Sequence, residues 1–170
     1  MAKATFNLAP IETWINTIKA EVAQEAADAI IRQLQIKGPY WTGSFAGAWE
    51  ARLGKAPIPA TENAVNRGDN FSALAQPRQL ETYVVQEAPK NNRRSVEYTI
   101  DNRMVYRDIA KDLVPDVTGM LRGNKPNRTA PLNWYTTYLQ GGGLATTLAL
   151  ATNRVSKDPK ISQFKASLNK

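Results

Sequence analysis

Neither cysteine nor histidine occurs among the 170 residues. Without cysteine there is no disulfide framework and no thiolate site. Without histidine the commonest general base and metal ligand is missing. Together these absences argue against most hydrolases, redox enzymes and zinc sites, and do not exclude a carboxylate-based site. Long apolar runs are lacking too. Leu144 to Ala151 is the nearest to one and is far too short to cross a bilayer. Met1 to Asn7 has no apolar centre of the kind a signal peptide needs, so the expectation is a protein made in the cytoplasm with no membrane partner.

Acidic residues run short at one end only. Residues 1–60 hold six basic and five acidic side chains, residues 61–110 seven of each, and residues 111–170 nine basic against three acidic. Most of the net charge of +7 therefore lies in the last third. Lys157, Lys160, Lys165 and Lys170 read as an exposed basic arm over 156–170, fit either for an acidic partner or for solubility alone. The rest, residues 1–155, is long enough for one domain that buries roughly two-thirds of its unfolded surface.

The chain is organised around Gly38-Pro39-Tyr40-Trp41-Thr42-Gly43-Ser44-Phe45-Ala46-Gly47-Ala48-Trp49. Before it, Ile11, Trp14, Ile15, Ile18, Val22, Ala26, Ala29, Ile30 and Leu34 recur at three- and four-residue spacing, the signature of a long amphipathic helix. Pro10 suits its first turn, and Gly38-Pro39 ends it. After it, Trp49, Ala51 and Leu53 alternate with Glu50 and Arg52, as in a half-buried strand. Gly54 to Gln79 has poor periodicity and reads as a long irregular loop. Tyr83-Val84-Val85 and Val96 to Asp101 read as two more strands, and a meander of antiparallel strands is the simplest arrangement. Met104 to Val114 predicts a short helix, as do Leu132, Tyr135 and Leu139. Gly141-Gly142-Gly143 should interrupt the last pattern before Leu144, Leu148 and Ala151 resume it to about Val155. No lysine-serine or lysine-threonine follows the glycines, so they make no phosphate loop. The fold class expected is α+β: a twisted antiparallel sheet against a long N-terminal helix, with a long loop and a C-terminal arm.

Two motifs stand in this frame. Thr42-Gly43-x-Phe45-x-x-Ala48-Trp49 forms the corner, and Tyr98-x-Ile100-x-Asn102-x-x-x-Tyr106 closes the third strand. In their order and spacing over residues 10–114 they resemble the tail-completion and head–tail joining (neck) proteins of tailed bacteriophages. Phe45 replaces that family's leucine and Ala48 its serine. Asp108-Ile109-Ala110-Lys111 stands where the family often has a leucine-glutamate-aromatic-glycine segment. The resemblance implies a structural virion protein that assembles as a six- or twelve-fold ring around the DNA channel. It would be made in the host cytoplasm and be located in the neck or tail, beside portal or connector and tail proteins. It implies no catalytic residue, cofactor or metal, and assigns structural positions to Thr42, Gly43, Phe45, Trp49, Asn102 and Tyr106.

Arg93, Arg94, Lys157, Lys160 and Lys165 are the candidate interaction residues, with non-specific contact to packaged DNA as one use. Combined with stacking by Tyr135 and Tyr138, the same cations give a second reading, a basic nucleic-acid-binding module. Helical spacing also suits those two tyrosines to a core. An enzyme would need a carboxylate pair such as Asp112 and Asp116, and neither has an evident acid–base partner.

Overall fold

Helix α1 runs Ala9–Lys37, with Glu12 in its first turn and Lys37 in its last, an order that suits the helix dipole. The computed structural model describes residues 9–38, 44–62, 82–89, 96–105, 107–112, 130, 133–159 and 161. The helix stops at Gly38, whose N–H donates to the carbonyl of Leu34 at 2.9 Å. A Cβ there would stand 2.6 Å from that carbonyl oxygen and 3.0 Å from the Trp134 ring, so only glycine fits without a shift.

Helix α2 (Ser44–Gly47) leads directly into β1 (Trp49–Leu53), followed by β2 (Val84–Val85) and β3 (Tyr98–Asn102). The strand order is β2-β1-β3. The β1–β3 pair is antiparallel, Trp49 facing Asn102 and Leu53 facing Tyr98. The β1–β2 pair is parallel, Glu50 facing Val84. The protein is thus α+β with a mixed sheet, which corrects the wholly antiparallel meander expected above. A parallel pair needs a crossover of a dozen or more residues, and the long stretch between Leu53 and Val84 supplies it. The turn-like residues between β2 and β3 do not close a hairpin, because those strands occupy opposite sides of β1.

The start of the crossover is tied down. Ile58 is fully buried. The N–H groups of Thr61 and Glu62 both donate to the Arg103 carbonyl at 2.9 Å, and Val105 N–H returns to Glu62 at 3.0 Å. Residues 54–62 are therefore structured, although their sequence reads as loop; 63–79 lie outside the described residues.

Helix α3 (Arg107–Asp112) follows β3, and α4 (Trp134–Gln140) and α5 (Gly143–Ser156) form an αα-hairpin. The glycines do break the helical pattern, and Gly142 takes a left-handed φ of 85° between the two helices. In α4 the buried residues are Trp134 and Tyr138, whereas Leu139 is 39% exposed. The apolar face expected from Tyr135 and Leu139 is thus rotated by one position. Arg154 of α5 meets Glu25 of α1 at 3.0 Å, and Gly141–Gly143 line a cleft with Lys37, so α5 lies antiparallel along the second half of α1.

The core joins Ala27, Ile31 and Leu34 of α1 to Phe45, Trp49, Ala51, Met104, Trp134 and Tyr138. Polar side chains of α1 pin the layer above it. Gln35 Nε2 donates to the Ala46 carbonyl at 2.9 Å, and Gln24 Oε1 accepts from Ala88 N–H at 3.0 Å. Tyr83 donates its hydroxyl proton to Asp28 at 2.6 Å and accepts from Arg32 Nε at 2.8 Å. Burial first, then that donation to a carboxylate, pushes the Tyr83 phenol up to about 12 against the opposing pull of Arg32.

The C-terminal stretch differs from a uniformly exposed arm. Lys157 is exposed, but Pro159 and Ile161 are helical and Ile161 is 5% exposed. Asp158-Pro159 is a natural cap-and-first-position pair, so the chain re-enters a helix after α5.

Candidate functional site

The two sequence motifs meet at one corner. A four-residue helix delivers Phe45 into the core, and β1 starts two residues after α2 ends, which leaves Trp49 directly opposite Asn102 on β3. Asn102 is fully buried. Its amide Nδ2 donates to the Phe45 carbonyl at 2.7 Å, and its Oδ1 accepts from Met104 N–H at 3.0 Å. One side chain therefore satisfies two buried backbone groups that no ladder reaches, and clamps the corner onto the end of β3. Phe45, Trp49 and Asn102 converge here; Thr42, Gly43 and Tyr106 lie outside the described residues.

Aromatic rings continue the junction. Phe45 meets Trp49 edge-on, ring centroids 5.7 Å apart, and Trp134 likewise at 6.4 Å. Tyr135 stacks on Trp49 at 6.2 Å and 18°. Such pairs add about 0.5–1.5 kcal/mol each beyond the area they bury. Tyr138 is buried, and its hydroxyl donates to Thr147 Oγ1 at 3.1 Å. Tyr135 and Tyr138 are thus packing residues, which removes the stacking platform from the nucleic-acid reading.

A charged layer lies over the same junction, and sequence reasoning did not assemble it. Asp101 on β3 binds Arg107 Nη1 at 3.0 Å and Lys111 Nζ. Lys111 Nζ also sits 5.9 Å from the Trp49 ring centroid and 5.3 Å from that of Tyr135. Arg107 Nη1 further donates to the carbonyls of Ile58 at 2.6 Å and Asn102 at 3.0 Å. The arginine and lysine four apart in α3, six and ten residues after Asp101, were the available signal. Across the sheet Glu50 faces Asp101, with Arg52 and Arg103 on its carboxylate and Arg103 also bound to Glu62 at 2.9 Å. Each carboxylate of this facing pair is held by two cations. That arrangement cross-links β1, β3 and α3.

Among the described residues no three carboxylates, histidines or cysteines lie together as a metal site, and no helix is long and apolar enough to cross a membrane. Asp112 ends α3; its side chain and Asp116 lie outside the described residues, as do Arg93, Arg94, Lys160 and Lys165. Lys157 is exposed just beyond α5. The glycine triplet joins two helices and follows no strand, in keeping with a turn and not a phosphate loop. The cleft beside it, about 440 Å³, carries Arg32, Lys37 and Arg154. Asp28 engages Arg32 at 2.7 Å, and Glu25 engages Arg154.

No family profile, curated protein sequence or solved structure matches the chain.

Proposed function

We propose that this chain is a structural virion subunit of a tailed bacteriophage, forming a homo-oligomeric ring in the neck, at the head–tail joint or the tail-completion layer. The observation that carries the reading is the corner itself. The two motifs on which the resemblance rests come together in space, Asn102 bonding to Phe45 while facing Trp49. A chain whose motif residues serve as a clamp between helix, corner and sheet is suited to bearing load and presenting a fixed surface. Its activity would be mechanical: copies close around the DNA channel and offer a face to the portal or connector on one side and to tail proteins on the other. The basic C-terminal third would supply counter-charge to packaged DNA or an acidic neighbour.

Size-exclusion chromatography with light scattering, together with antibody labelling of particles in the electron microscope, tests this reading. A six- or twelve-fold mass and label at the neck support it. A chain that stays monomeric, labels no particle and binds DNA with a steep inverse salt dependence would instead be the nucleic-acid-binding module.

A further inference from the structure

A groove of one charge sign runs between α1 and α5. It encloses about 440 Å³, with Arg32, Gln33 and Lys37 on its α1 side and Thr146, Leu150 and Arg154 on its α5 side. Among the described residues that line it, three are cations and none is a carboxylate. Two of the cations have neighbours just outside the groove. Arg32 meets Asp28 at 2.7 Å and the Tyr83 hydroxyl at 2.8 Å, and Arg154 meets Glu25 at 3.0 Å. The two arginine side chains are nevertheless 50% and 66% exposed. Ion pairs this open to water contribute little, so a polyvalent anion can compete with them.

The cations are strung along the groove and not gathered at one point. Ala29 to Lys37 covers about 12 Å of the α1 axis. Lys37 stands at one end of the groove, and Arg154, which reaches Glu25, stands at the other. A lone phosphate is much shorter than this line. Duplex DNA carries about one charge per 3.4 Å along each strand, so a strand passing over the groove presents about three phosphates to it. No aromatic side chain lines the groove among the described residues, which leaves no platform for stacking the bases of a single strand.

We propose that this groove seats the sugar–phosphate backbone of duplex DNA, with Arg32, Lys37 and Arg154 as phosphate contacts and no readout of bases. The surface turned to DNA is then the α1–α5 side of the molecule and not the C-terminal arm alone. The inference deepens the proposed function and rests on it for the presence of DNA beside the subunit.

Fluorescence anisotropy of a short labelled duplex, titrated with the full chain over a range of salt, tests the groove. Lys37→Gln combined with Arg154→Gln should lower affinity more than about tenfold near 0.1 M salt, and should flatten the log–log salt slope by about 1.8. The charge-matched pair Lys157→Gln and Lys165→Gln, placed on the arm, should flatten it less. Thr146→Glu sets an acid in the first turn of α5, where the helix dipole favours it, and should weaken binding without loss of fold. That variant decides the matter if the double variant misfolds. Equal losses for groove and arm, or an unchanged slope in the groove variants, overturn the proposal. So does displacement of the duplex by inorganic phosphate at matched ionic strength, which would assign the groove to a small anion. Ring mass by light scattering is read separately, so the groove and the virion reading can fail independently.

Discussion

Replacing Asn102 with leucine probes the corner most directly. The two side chains have the same number and branching of heavy atoms, so the change removes hydrogen bonds while leaving the cavity filled. It strands the Met104 N–H, now satisfied at 3.0 Å, and leaves the Phe45 carbonyl, now satisfied at 2.7 Å, with only the long 3.4 Å bond from Ala48 N–H. Each unsatisfied buried backbone group costs about 1–3 kcal/mol. Burying the leucine returns roughly 1–2 kcal/mol of transfer free energy. The net loss is about 2 kcal/mol. With a urea m-value of about 2 kcal/mol per M, the unfolding midpoint should fall by on the order of 1 M at unchanged slope. A control on the same strand is Thr99→Val, which removes only an exposed hydrogen bond from Thr99 Oγ1 to the Gly54 carbonyl. It should cost under about 1 kcal/mol. Equal midpoint shifts for the two variants would refute the claim that Asn102 clamps the corner.

Two further predictions follow from the same packing. Trp49, 1% exposed between Phe45 and Tyr135, should cost about 3–5 kcal/mol as Trp49→Ala in a denaturant titration, and a small loss would mean the aromatic junction is not the core. The Tyr83 phenol, raised from 10 to about 12, favours the protonated native state. Its contribution is fully present below pH 10 and is lost as pH rises toward 12, because the unfolded chain releases that proton first. Stability measured across pH 9–12 should therefore fall less steeply in Tyr83→Phe than in the parent chain, and parallel curves would discount the Asp28–Tyr83–Arg32 link.

The sequence by itself determined the local elements. Period-3.6 and period-2 patterns, with Pro10 and Gly38 as punctuation, depend on neighbours along the chain, so α1, β1 and β3 were legible, as was the helix break at the glycines. It also marked Phe45, Trp49 and Asn102 as belonging to motifs, though not what they do. Tertiary structure decided what depends on partners distant in sequence. Whether β2 pairs parallel or antiparallel to β1 turns on how the long crossover is routed, and no residue pattern inside a two-residue strand encodes that. The order of the carboxylates and cations over the sheet was likewise invisible, because Glu50 and Asp101 become neighbours only through the β1–β3 register. The burial of Ile58 and Ile161 was hidden for the same reason: Ile58 stands between two prolines and Ile161 among lysines, and only packing against the folded body shows that they are buried. Local interactions repeat along a sequence and can be read from it; the pairing of remote segments is fixed by the collective burial of the whole core.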